Sequence, residues 1–165
     1  MSKRRLLAVL LGGAMMLTGC TAGTESTVDT ELSLEEAKQG AIDLASELAT
    51  FIPASAVGEI ERPPDGILMN CGDDGYQWTG RTVVPLLEPI DTDALVVSII
   101  EHFEDSVDHE AISIPTADGE PRVQVRGRFG ASAIVAEHPD EPEIRISSLS
   151  SCFVLPEGVS PLGRH

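Results

Sequence analysis

The apolar residues of this chain fall into two helical stripes and a series of alternating segments. Leu34, Ala37, Ala41, Leu44, Leu48 and Phe51 recur at spacings of three and four, which places them on one face of a helix. Ser33 precedes the stripe and Glu36 follows it by three, the pattern of a capping box. Pro53 ends this helix. Residues 53–75 carry Pro63, Pro64, Gly66 and the turn Gly72-Asp73-Asp74-Gly75, and read as a long connection. From 76 to 86 the period changes to two. Tyr76, Trp78, Thr82, Val84 and Leu86 share one side, and Gln77, Thr79, Arg81 and Val83 the other, so this segment predicts a strand with one buried face.

A second helix follows, capped by Asp91 or Asp93 and lined by Leu95, Val96, Ile99, Ile100 and Phe103. Four short strands come next. The first lies near 110–115, with Ile112 and Ile114 inward, and Asp118-Gly119 supplies a hairpin turn. The second lies near 121–128, with Val123 and Val125 inward. The third runs near 131–137 and the fourth near 143–150. The order is α-β-α-β-β-β-β, and short connections make the last four strands antiparallel. Two amphipathic helices need an apolar surface, and a half-buried sheet offers one. The expected fold class is therefore α+β, a two-layer sandwich with about five antiparallel strands and both helices on one face.

Residues 1–32 do not belong to this pattern. Lys3, Arg4 and Arg5 precede an apolar run from Leu6 to Leu17, shorter than the roughly 20 residues that span a bilayer. That layout is a secretory signal. Leu17-Thr18-Gly19-Cys20 closes it and resembles the lipobox of bacterial lipoproteins. The resemblance implies cleavage after residue 19 and a diacylglyceryl group on the Cys20 thiol. Each buried methylene contributes about 0.8 kcal/mol and two chains suffice for stable anchoring. It places the protein on the extracytoplasmic face of the cell membrane. Residues 20–32 are mostly Thr, Ser, Gly and acids, a composition that buries no core and reads as a flexible tether. The domain expected beyond it is 33–160, with 161–165 as a tail.

The whole chain has 11 basic and 27 acidic residues, a formal charge of −16. Loss of Lys3, Arg4 and Arg5 with the signal leaves eight cations and a charge of −19. Such a charge disfavours nucleic acid and anionic lipid surfaces as partners. Loss of the signal and lipidation of Cys20 also leave two thiols, Cys71 and Cys152. An even pair in a secreted chain reads as a disulfide. It closes a loop of about 80 residues, for which the chain-entropy relation gives at most ~4.5 kcal/mol. It would join the start of the first strand to the end of the last, which makes those strands neighbours or nearly so.

The chemistry-bearing pattern is basic. Arg122, Gln124, Arg126 and Arg128 alternate with Val123 and Val125, and by the same parity Arg81 and Arg145 face away from the core. Five of the eight remaining cations are thus expected on the open sheet face. The guanidinium fork suits carboxylate and phosphate, so this face is a candidate site for an envelope protein or an anionic glycopolymer. Cross-strand pairing with acids such as Glu137 and Glu143 is the competing expectation. Tyr76 and Trp78 offer sugar stacking on one reading and core packing on the other, and their alternation with Val84 and Leu86 favours the core. The Gly72–Gly75 turn lacks the spacing of a calcium loop. His102 and His109 lie among acids but seven residues apart, wide for zinc. No nucleophile-elbow pattern occurs, and no pair of carboxylates stands out. We expect no catalytic residue, no metal and no cofactor.

The order of lipobox, acidic tether, Cys71, the Tyr76/Trp78 strand and a late Cys152 resembles small uncharacterised lipoproteins of actinobacteria. That resemblance implies no activity. The leading expectation is a non-enzymatic binding or accessory lipoprotein of the cell envelope. A carboxylate-dependent envelope hydrolase and the substrate-binding lipoprotein of a transporter are the alternatives. Cys20→Ser is expected to move the protein from the detergent phase to the aqueous phase in Triton partitioning. Retention in the detergent phase would overturn the lipobox reading.

Overall fold

Helix α1 spans Leu34–Ala49, and its first turn shows the expected box. Ser33 Oγ accepts the Glu36 N–H at 3.3 Å, and the Glu36 carboxylate accepts both the Ser33 hydroxyl at 2.6 Å and the Ser33 N–H at 3.0 Å. The hydroxyl bond first, and the backbone bond second, hold the Glu36 carboxyl below its ordinary pKa. Helix α2 spans Thr92–Phe103, and the cap is Asp91, whose side chain accepts from Ala94 N–H at 2.9 Å. The computed structural model describes residues 28–72 and 74–165. The lipobox with Cys20, and Asp73 of the first turn, lie outside the described residues.

The strands are β1 (Ile67–Gly72), β2 (Gly75–Pro85), β3 (Glu110–Ser113), β4 (Arg122–Arg126), β5 (Ser132–Glu137), β6 (Glu143–Leu149) and β7 (Phe153–Val154). They form one sheet in the order β1-β2-β6-β5-β4-β3, with β7 also on β2. Every pairing is antiparallel. The two-layer α+β architecture is as expected. The sheet has seven strands rather than about five, because two pairings escaped the alternation. One is β1, which turns a presumed connection into a hairpin with β2. None of its residues is buried, so it left no alternating signature. The other is β7, two residues long.

Both helices cover the same face of the sheet. Leu44, Leu48, Leu95, Ile99 and Phe103 pack on Val84, Val123, Val125, Val135, Ile144 and Ile146, all buried. A smaller cluster joins Ala37 and Ala41 of α1 to Trp78 and Phe153. Trp78 is buried, as its alternation implied, and its indole lies across Gly80, where a Cβ would fall 2.0 Å from the ring. The Trp78 indole N–H donates to the His165 carbonyl at 3.0 Å, and His165 also exchanges backbone hydrogen bonds with Gly66. The expected tail at 161–165 therefore ends against the sheet. At the other end Asp29 forms a parallel bridge with Phe153, so the stretch expected to be tether meets the sheet before Leu32.

Among the described residues no helix covers the opposite face. Ile146 points into the core and is fully buried, whereas Ile134 of β5 points out and is only half-buried. Ile146→Ala should cost about 2–5 kcal/mol in urea unfolding of the oxidised protein. Ile134→Ala should cost less than half as much. Equal losses would show that the outer face is covered in solution.

Candidate functional site

The register places the expected arginines on the uncovered face. Successive cross-strand rows there run Val83–Arg145–Ala136–Arg122, then Arg81–Ser147–Ile134–Gln124–Ile112, then Thr79–Leu149–Ser132–Arg126–Glu110. Arg122 and Arg126 are four residues apart on one strand, roughly 13 Å at 3.3 Å per residue. Arg122 and Arg145 are two strands apart, about 10 Å at the usual spacing. Val83, Ala136, Ile134 and Ile112 form a half-buried apolar floor between them; Ile112 was expected inward, but it pairs with Gln124 while Ala111 and Ser113 pair with the core-facing Val125 and Val123.

The arginines differ in their partners. Arg145 is bonded by Glu143 and lies 3.8 Å from Glu141, which is the acid pairing anticipated for such faces. Arg122 donates from Nε to the Ile114 carbonyl at 3.1 Å, and Arg126 donates from Nε to the Gln124 side-chain oxygen at 3.1 Å. Neither contact involves a carboxylate. The Arg81 side chain makes no hydrogen bond or ion pair among the described residues, its backbone being paired with Ser147 in the β2–β6 ladder. Glu137 is engaged elsewhere, accepting the Thr92 hydroxyl at 2.6 Å. Arg128 departs from the expectation: β4 ends at Arg126, and Arg128 begins a 3-10 turn, Arg128–Gly130. Gly127 breaks the strand before it. Arg128 pairs there with Asp108 at 2.8 Å, both side chains more than half exposed.

That turn holds a residue the sequence reasoning missed. Phe129 has φ 51° and ψ 33° and is 41% exposed. A left-handed conformation costs an L-residue about 1–2 kcal/mol, so surrounding contacts must impose it. Each carbonyl of the turn is held. Arg128 O accepts from Ala131 N at 3.0 Å and Ser151 Oγ at 3.3 Å, and Phe129 O accepts from Cys152 N at 2.8 Å. Gly130 O accepts from the side chain of buried Gln77 at 2.8 Å, and the same amide reaches Ser150 O at 2.8 Å. Cys152 is bonded to Cys71, with Cα atoms 6.2 Å apart. The turn borders a cleft of about 660 Å³ whose lining includes Asp108, His109, Gln124, Arg126, Arg128 and Phe129. One sequence signal was present: Phe129 is a phenylalanine outside every periodic segment, set between Arg128 and Gly130.

The other candidates have structural uses. His102 Nε2 lies 3.0 Å from Glu47 of α1, with its ring edge-on to Phe51 and Phe103. His109 packs on Phe103 at 5.4 Å. Gly72 and Gly75 flank the β1–β2 hairpin turn. His138, Glu141 and Glu143 bring their ligand atoms within 4.8 Å of one another. Arg145 already contacts both carboxylates, so a cation there would have to displace a guanidinium.

No family profile matches this chain, and no curated protein does. Among solved structures, it is similar to a crystal structure of a DUF4853 family protein from Actinomyces odontolyticus. The identity is 20% and the TM-score 0.47, over 82% of this chain and 76% of that one.

Phe129→Asn replaces the strained residue with one that enters the left-handed region more readily. Its urea unfolding free energy should match the parent or exceed it by up to about 1 kcal/mol. A marked loss would show that ring packing, not backbone strain, governs the position.

Proposed function

We propose that this chain is a lipid-anchored, non-enzymatic docking protein of the cell envelope, which holds an acidic segment of a partner protein on its open sheet face. The observation that carries the proposal is the state of Arg81, Arg122 and Arg126. They stand on one face around an apolar floor, without a carboxylate partner among the described residues, in a chain of net charge −16. With 27 acids available, ion pairing on that face would be easy to supply. Charge repulsion from the rest of the molecule is screened beyond about 8 Å at physiological salt, so a bound acid responds chiefly to the nearby guanidiniums.

The apolar floor favours a protein segment over an anionic glycopolymer. Ile134, Val83, Ala136 and Ile112 offer little to a chain of phosphates or uronates. They do suit a strand that alternates acidic and apolar side chains. The lipobox supports the anchor, with Cys20 holding the domain at the membrane and a short stretch of chain between them. A hydrolase relying on carboxylates finds less support, because Asp108 in the cleft is bonded by Arg128.

Fluorescence anisotropy with an acetylated, amidated octapeptide alternating Glu and Leu tests the docking reading. Binding should weaken with added salt, fall at least tenfold in the Arg122→Glu/Arg126→Glu variant, and be unchanged in Arg164→Glu, with folding checked by urea titration. Tighter binding of a polyphosphate of equal charge, or insensitivity to the double substitution, would overturn it.

A further inference from the structure

The cleft beside the β4–β5 turn has properties that the flat part of the sheet lacks. Two guanidiniums, Arg126 and Arg128, line it together with the exposed ring of Phe129. Phe129 is held in an unfavourable backbone conformation by the bond from the disulfide-linked Cys152 to its own carbonyl and by those from Ser151 and Gln77 to the carbonyls of Arg128 and Gly130 beside it. Glycine in its place would adopt this backbone conformation without steric strain. Residues in such strained conformations cluster at active sites and ligand clamps, and this one carries a ring that is 41% exposed.

The cleft also contains its own carboxylate. Asp108, on the loop after α2, reaches Arg128 at 2.8 Å. Both partners are more than half exposed, so the pair contributes little to folding, typically under about 1 kcal/mol. An incoming carboxylate can therefore take Arg128 at small cost. Glu110 lines the same cleft and lies opposite Arg126 across the β3–β4 pairing, exposed and without an ion pair to it, so Arg126 has no carboxylate contact to give up to an incoming acid.

We infer that this cleft is a carboxylate-binding subsite for a group that joins an acid to an apolar or aromatic body, and that Asp108 occupies Arg128 until such a ligand displaces it. The inference deepens the docking reading above, because it names the anchor point on that face. The acid bridges Arg126 and Arg128, and the apolar body lies on the Phe129 ring. Bidentate guanidinium–carboxylate geometry supplies the direction, and the pre-formed turn lowers the ordering cost of binding.

The test uses 3-phenylpropanoate, with 3-phenylpropanamide as its uncharged counterpart. Arginine Nε–Hε resonances are followed by NMR in the full domain. The acid should shift Arg126 and Arg128 saturably while Arg164, whose Nε lies 3.6 Å from Asp65, serves as an exposed reference. The amide should shift neither. Asp108→Asn should tighten the acid about threefold, because the internal competitor is gone. Phe129→Ala should weaken 3-phenylpropanoate at least threefold and leave acetate unchanged. If Arg128 responds no more than Arg164, or if Asp108→Asn fails to tighten binding, the subsite is refuted. Saturable 3-phenylpropanoate binding without any affinity for the Glu–Leu octapeptide leaves the subsite standing and removes the wider docking face. Octapeptide binding with a silent Arg128 does the reverse.

Discussion

Strand β6 leaves β2 at Leu149 and pairing resumes in β7 at Phe153. The three residues between them, Ser150, Ser151 and Cys152, have lost their ladder partners and must bond elsewhere. Trp78 brackets Ser150, its carbonyl accepting from the Ser150 N–H and its own N–H donating to the Ser150 hydroxyl, both at 2.9 Å. The Ser150 carbonyl takes Gln77, and the Cys152 N–H takes the carbonyl of Phe129. The Cys152 carbonyl accepts from Asp29, and its sulfur closes on Cys71. One interruption in a strand thus joins the N-terminal bridge, the first hairpin, the buried tryptophan and the strained turn. Relaxing the interruption would cost more than one hydrogen bond, because each donor there satisfies a different element.

That interruption was not legible in the sequence, and the reason is physical. Periodicity reports which side chains are buried, and residues 150–152 are distinguished by where their backbone groups go. The elements that did read correctly are those whose burial follows one period over most of their length, as β2 does beyond Gln77. In β2, Trp78, Thr82 and Val84 are buried in step, and in β4 Val123 and Val125 are. Helix α1 buries Ala37, Ala41, Leu44 and Leu48 along its predicted stripe. β1 was invisible for the opposite reason. As an edge strand with Ile67 and Met69 half exposed, it has no buried face to mark it, although Ile67-Leu68-Met69 running into Gly72 and Gly75 is a hairpin signal in hindsight.

The candidate site divides along the same line. Parity alone put Arg81, Arg122, Arg126 and Arg145 on one face, because side-chain alternation fixes the face once the buried residues are known. It could not say that Glu143 would claim Arg145 while Gln124 took Arg126. Those pairings depend on rotamers and on neighbours brought in by the fold. Arg128 was misplaced by extending β4 past Gly127, where the chain leaves the ladder to form the turn. The structure moves Arg128 from the sheet face to the wall of a cleft, which changes what it can bind.

Arg145 and Arg126 show how the two outcomes differ in consequence. A guanidinium bonded by two glutamates is already satisfied, and drawing it to a ligand means leaving those acids unpaired. A guanidinium whose partner is a neutral amide retains its charge and most of its donors. In a strongly acidic protein the second state is the harder one to maintain, since every nearby Asp or Glu competes for it. The register contributes to it: Ser147 flanks Arg81 and Ser132 flanks Arg126 on one side, while Glu110 stands opposite Arg126 on the other without an ion pair to it. Along the middle rows of this face Ser147, Ile134, Gln124 and Ser132 separate the arginines, and guanidiniums set among neutral neighbours are what an acidic partner would find complementary.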